Sequence, residues 1–307
     1  MADTTCARNV RRLAVLVVGF LLLASCSQQT RPEQSPASVS GSPTTDSEVS
    51  TESTPSDGFD IEADRPGAFE TRPPGSDLPS GDTCAKWVRA TPETVPENEP
   101  YNNTEGREVE GETYLSQNIE ADDIESRIDG AFVGTTDEII QWGACKWGFD
   151  EHNLRAQAYA ESTWFAGKLG DCGEPTQPET GGEGGCASLG LLQVRGANIE
   201  PVFPGVWPIA WKSTAFNVDY AMAVRRACFE GSEVWLTKSS PAENPYEPGD
   251  EWGCMGRWFS GAWYDAGAIA YMERVRVHAE AESWKDYVGC PDWKERFYCG
   301  DIDREIE

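Results

Sequence analysis

Residues 135–164 read TTDEIIQWGACKWGFDEHNLRAQAYAESTW, and two helices can be laid out on them from end signals alone. Thr135 followed at the third position by Glu138 forms a capping box, in which each side chain satisfies the other's free backbone N–H. Ile139, Ile140, Trp142 and Gly143 then open an apolar face. Gly148 supplies the stop, because glycine enters the left-handed conformation of a C-cap at little cost. Asp150 can cap a second helix from Glu151 to about Ser162, with Leu154, Ala158 and Glu161 on related faces. The product is a helical hairpin whose second arm ends in a glutamate.

Working outward, a 3.6-residue recurrence of Phe216, Tyr220, Ala223, Val224 and Ala227 predicts a helix over about 213–229. A less regular recurrence of Ile269, Met272, Val275 and Val277 predicts another over about 265–284. Short extended pieces are expected around Trp87-Val88 and Phe132-Val133. No internal repeat is visible. The expected class is mainly α with a minor β content, formed by a single domain over residues 82–307, whose 226 residues suit one large unit.

The N-terminus reads as a processing segment and is set aside before fold reasoning. Arg8, Arg11 and Arg12 precede an apolar run from Leu13 to Leu23, and Leu23-Ala24-Ser25-Cys26 places small residues before a cysteine. Eleven apolar residues are too few for a bilayer core of about 30 Å, which needs about 20. The tetrad resembles a bacterial lipobox. That resemblance implies a signal peptide over 1–25, cleavage before Cys26, and lipidation that holds the chain on the outer face of a cell membrane, its only link to the bilayer. Residues 26–81, rich in Ser, Thr, Pro, Gly, Glu and Asp, cannot bury enough surface to offset their ordering entropy. They are expected to form a disordered tether with a reach of about 40 Å.

The net charge is −27, and loss of the leader, with its three arginines and one aspartate, leaves −29. A surface that acidic repels phosphate backbones and anionic headgroups, which excludes nucleic acid as an expected partner. Binding of an uncharged polar ligand would rest on stacking and hydrogen bonds, for which the twelve tryptophans are suited. Eight cysteines follow the leader and Cys26, an even number that reads as a disulfide framework in an exported chain. Eight cysteines allow 105 pairings; sequential pairing is the expectation, as Cys84–Cys145, Cys172–Cys186, Cys228–Cys254 and Cys290–Cys299. The second would close the Gly-rich loop 173–185. With two histidines and no Cys-x-x-Cys, neither ligands nor spacing suggest a metal, and no cofactor is expected.

The chemistry is carried by Ala158-Tyr159-Ala160-Glu161-Ser162-Thr163-Trp164 and, beyond the loop, Ser188-Leu189-Gly190-Leu191-Leu192-Gln193-Val194. In order and context these resemble the first two motifs of the soluble lytic transglycosylase branch of the lysozyme-like superfamily, a helix-ending Glu-Ser and then Gly-Leu-x-Gln. The resemblance spans about 135–285. It implies an α+β lysozyme-like fold and cleavage of peptidoglycan glycan strands with Glu161 as the catalytic acid. Gln193 would bond the sugar or its N-acetyl group, and Gly190 would let the backbone approach a ring. Ser162 matches the serine that follows the glutamate. A third family element is echoed loosely by Asn217 and Tyr220, for which helix packing is the competing explanation. The family's Ala-Tyr-Asn-Ala-Gly is not kept. Residues 257–264 stand there, so Tyr264 is the candidate to face the glutamate, with Trp258 or Trp263 against a sugar.

Breaking a glycosidic bond needs a carboxylic acid still protonated near neutral pH. Apolar neighbours raise a carboxyl's pKa; Trp164 and Tyr159 are the nearest in sequence, and the negative end of the helix dipole pushes the same way. In a lytic transglycosylase one glutamate is acid and then base, and the substrate's N-acetyl group assists. A muramidase would add a second carboxylate, with Asp171 the nearest candidate; Glu174, Glu179, Glu183 and Asp219 lie further along. A lysozyme-like scaffold that binds peptidoglycan without cutting it is the alternative from another class. Nucleophilic hydrolases are disfavoured, since no Gly-x-Ser-x-Gly is present and His152 and His278 read equally as helix surface.

Overall fold

The capping box of Thr135 and Glu138 forms in both directions, and Gly148 ends the helix in the left-handed region. In the computed structural model, residues 67–119, 121–172, 186–195 and 203–286 are described. Their helices are α1 (Gly81–Trp87), α2 (Glu99–Asn102), α3 (Tyr114–Asn118), α4 (Asp122–Glu125), α5 (Thr136–Trp147) and α6 (Glu151–Ser162). After strands β1 (Leu169–Cys172), β2 (Cys186–Leu189) and β3 (Val194–Arg195) come α7 (Ile209–Lys212), α8 (Thr214–Phe229), α9 (Glu251–Ser260) and α10 (Ala266–Ala281). The chain is thus mainly helical, as expected.

Helix α8 is buried along its whole length and is the axis of the core. It packs on α5, while α10 lies across α6 and α9. The α5–α8 approach is close because Gly143 has no side chain; a Cβ there would come within 2.4 Å of Val218 Cγ1. At one end of this contact Asp219 is fully buried and satisfied by Lys146 Nζ at 2.8 Å, Trp147 Nε1 at 2.6 Å and the backbone N–H groups of Asp129 and Gly130. Such a carboxylate is committed to structure.

The three strands form an antiparallel sheet in the order β1-β2-β3. Gly170 pairs with Ser188 and Cys172 with Cys186. Disulfides Cys84–Cys145, joining α1 to α5, and Cys228–Cys254, joining α8 to α9, match the sequential scheme. Cys186 is disulfide-bonded, and the register sets Cys172 across the ladder from it. The leader, Cys26, loop 173–185 and the Cys290–Cys299 pair lie outside the described residues.

Three expectations need correction. The domain boundary falls before residue 82, because residues 67–81 are bound to the helices. Phe69 is buried under the Arg89 guanidinium, its carbonyl accepts from Glu151 N, and the carbonyls of Arg72 and Pro73 accept from Arg226. Trp87 closes a helix rather than forming an extended piece, and Phe132 sits in a loop stacked on Trp142. On α10, Met272 and Val275 are buried, whereas Ile269 and Val277 are half exposed. The true inward stripe runs through Ala268, Tyr271, Met272 and Val275.

Candidate functional site

Glu161 is the penultimate residue of α6, which α10 crosses. Its carboxyl is partly buried, and Tyr271 on α10 donates its hydroxyl to Glu161 Oε1 at 2.5 Å. Burial pushes the Glu161 pKa up from the ordinary 4.5 to about 7. The Tyr271 hydrogen bond, the charge of Arg274 and the Trp258 indole favour the ionised form, and nearby Asp171 adds an upward push. Desolvation prevails, so the carboxyl holds a proton close to neutrality. Tyr271 is itself only 1% exposed, and its hydroxyl is held well above the usual tyrosine range by burial and by the Glu161 charge. It therefore remains a donor.

The other neighbours of Glu161 and Tyr271 come from α9 and α10. Trp258 spans from Glu161 to the turn after β2, donating Nε1 to Leu192 O at 3.2 Å. Phe259 stacks on Tyr271 with ring centroids 4.6 Å apart. Tyr264, the candidate from sequence, instead donates to Asp250 Oδ2 at 2.8 Å. Tyr271 holds the place expected of it. The signal that could have found Tyr271 is the Ala270-Tyr271 pair within the predicted helix, the first two residues of the Ala-Tyr-Asn-Ala-Gly pattern expected at 257–264.

The aromatic residues nearest in sequence turn elsewhere. Trp164 stacks on Trp284 and, with Glu93, Asp137, His152 and Arg155, lines a cavity of about 510 Å³ in which Glu161 has no part. Tyr159 packs edge-on against His278. Trp263 is buried against Tyr246. His152 and His278 bond Ala279 O and Ser283 Oγ.

The second motif builds the turn beside the site. Gly190 has φ 77°, and a Cβ there would meet Asn217 Nδ2 at 2.4 Å, so only glycine fits. Fully buried Asn217 donates to Leu189 O and Ala210 O and accepts from Leu192 N. Gln193 donates to Lys168 O and Gly190 O, and its side chain lies against Gly170. Ser162 is buried and donates back to Ala158 O. In this arrangement Gly190, Gln193 and Ser162 act on the backbone that frames Glu161. Asp171, exposed on β1, accepts from Ser188 and is close enough to act on Glu161 through its charge.

Among the described residues no group of three or more His, Cys, Asp or Glu side chains could hold a metal ion, and no helix is long and apolar enough to cross a membrane. Comparison with models of known families, with characterised proteins and with solved structures finds no match to this chain.

Proposed function

We propose that the chain is a lysozyme-like enzyme that cleaves peptidoglycan glycan strands by a lytic transglycosylase-type mechanism, with Glu161 as its single catalytic group. The observation that carries this reading is a glutamate at a helix end, partly buried, hydrogen-bonded by Tyr271 and protonated up to about pH 7. A carboxyl in that state can donate to the leaving glycosidic oxygen. The carbonyl of the substrate's own N-acetyl group closes on the anomeric carbon as the bond breaks. Glu161, now a carboxylate, takes the proton of the sugar's 6-hydroxyl as that oxygen attacks the same carbon and displaces the acetamido oxygen, which returns to a carbonyl; a 1,6-anhydro end is left and the acid is regenerated. Tyr271 steadies the carboxylate between the two steps. The small sheet following α6 and the Gly190-to-Gln193 turn support the assignment by their order along the chain.

A muramidase is the second reading, favoured by Asp171, which stands on β1 near enough to raise the Glu161 pKa. It would activate water or attack the sugar directly. We further assign the chain to the outer face of a bacterial cell membrane, anchored through lipidated Cys26, with peptidoglycan as its partner.

Digestion of purified wall, read by mass spectrometry, tests these readings. Products lighter by one water than hydrolytic ones are expected, and Glu161→Gln should yield none. Hydrolytic products lost in Asp171→Asn would move the assignment to a muramidase. Absence of cleavage by the unaltered protein, with wall binding retained, would leave a binding lipoprotein.

A further inference from the structure

The mechanism leaves Arg274 unused, and its position is unusual. It lies one helical turn beyond Tyr271 on α10, with its guanidinium carbon 5.0 Å from the Tyr271 ring centroid and 5.2 Å from that of Phe259. Arg155, Arg225, Arg226, Arg257 and Arg276 each form an ion pair with a carboxylate; Arg274, like Arg72, Arg127 and Arg195, forms none among the described residues, and of these four it is the one that acts on Glu161. In a chain with 52 acidic against 25 basic residues, an exposed arginine beside the acid and without such a partner is suited to a negative charge brought from outside. Its charge also works against Glu161, favouring the ionised form that cannot act as an acid. The acid step gains nothing from that charge, and Tyr271 already steadies the carboxylate that follows it.

We infer that Arg274 is a recognition residue for a carboxylate carried by the substrate sugar, and that the Phe259 ring is the stacking face of the same subsite. The inference rests on the glycan-cleavage reading and specifies its substrate: a strand whose muramic residue bears a free lactyl carboxylate at the scissile bond. Phe259 gives one face to Tyr271 and is still 49% exposed, an apolar ring open to a sugar. A guanidinium held about equally far from both stacked rings leaves the outer face of Phe259 open and carries the paired donors that suit a bidentate carboxylate. On β1 stands Asp171, so a carboxylate-bearing sugar is favoured against α10 and disfavoured against the sheet. Occupancy also feeds back on the chemistry, because a carboxylate seated on Arg274 cancels the charge that lowers Glu161 and strengthens the acid's hold on its proton. Since a free lactyl carboxylate is exposed only after the stem peptide is removed, an amide-hydrolysing reaction must supply the preferred strand.

The test is the binding of two soluble disaccharides of N-acetylglucosamine and N-acetylmuramic acid to the full-length protein, measured by calorimetry. One carries the free lactyl carboxylate and the other its methyl amide. The acid should bind about fivefold tighter, the scale of a partly exposed charge-assisted pair. Arg274→Gln should abolish that preference, and Phe259→Ala should weaken both ligands alike. Equal binding by the unaltered protein, or a preference that survives Arg274→Gln, overturns the inference. If neither ligand binds while purified wall is still cleaved, the role of Arg274 falls and the glycan reading stands. If neither binds and wall is not cleaved, both fall.

Discussion

Replacing Glu161 by Gln should abolish cleavage and also stabilise the protein, by an amount that grows with pH. Burial raises the Glu161 pKa from 4.5 to about 7. Between those values the folded chain retains a proton that the unfolded chain has released, so stability falls as pH rises through the window and levels off above it. A displacement of about 2.5 pH units, at about 1.36 kcal/mol each, corresponds to about 3 kcal/mol in full. Of this, about 2.5 kcal/mol falls between pH 5 and pH 8, an upper value because the carboxyl is partly open to water. Glutamine keeps the shape and can still accept from Tyr271 through its amide oxygen, but carries no charge to desolvate. Other carboxylates titrate alike in both proteins and cancel in the difference. Urea unfolding followed by tryptophan fluorescence at pH 5 and pH 8 gives four free energies. The advantage of Glu161→Gln over the unaltered protein should be up to about 2.5 kcal/mol larger at pH 8 than at pH 5. An advantage that does not change with pH would mean that Glu161 titrates as an ordinary solvated glutamate, and the acid assignment would lose its physical basis.

Three further outcomes are expected. Cleavage should decline as pH rises through about 7, and Tyr271→Phe, by removing a hydrogen bond that favours the ionised acid, should move that decline upward by about one pH unit in a pH–rate profile. Asn217→Ala strands Leu192 N and two carbonyls in the interior, so urea unfolding should show a loss of about 3 kcal/mol. Cleavage should fall with it, because Leu192 O is the anchor of Trp258. Phe69→Ala should cost about 3 kcal/mol and open residues 67–81 to limited proteolysis while leaving the Glu161 pH profile in place.

What could be read in the chain was what is decided locally. The α5–α6 hairpin is specified by Thr135, Glu138, Gly148 and Asp150, each acting within a few residues of itself, and all four act as caps in the structure. The partner of Glu161 is marked locally only by the Ala270-Tyr271 pair, because Tyr271 lies 110 residues away and arrives only when α10 packs on α6. Helix α9 was missed for a related reason. Its Gly253 and Gly256 lower helix propensity, yet they are where Trp263 and the α10 residues Ala268 and Met272 come close. Residues 67–81 have the composition of a linker, but composition does not count anchors. Phe69, the two carbonyls reached by Arg226, and the bonds of Thr71 to Glu251 and of Arg127 to Pro79 O are among the contacts that bind the segment. The Gly-Leu-x-Gln pattern carries an expectation of sugar contact for Gly190 and Gln193, whereas the visible partners of the Gln193 amide are backbone groups and Gly190 packs on Asn217.

The distribution of backbone strain supports treating this region as functional. Thr163, Trp164, Asp171 and Gln193 all adopt left-handed conformations, with φ of 54°, 65°, 49° and 50°, each at a cost of about 1–2 kcal/mol for a residue with a Cβ. Thr163 closes α6 without glycine, the inexpensive solution that Gly148 and Gly261 provide for other helices; Tyr264 and Glu282, which closes α10, are the other left-handed residues with a Cβ among those described. The first four lie where α6 hands over to the sheet and where the sheet turns toward Asn217. Such conformations persist only where neighbours over-determine them, and here they do. Fully buried Asn98 donates to Trp164 O and accepts from Ala166 N, Ser188 donates to Asp171, and the Gln193 amide is tied to two carbonyls. Packing alone gives no reason for four of the six such residues among those described to gather around one glutamate. A requirement to hold the end of α6, Asp171 and the Gly190–Gln193 turn in fixed relation around the Glu161 carboxyl does.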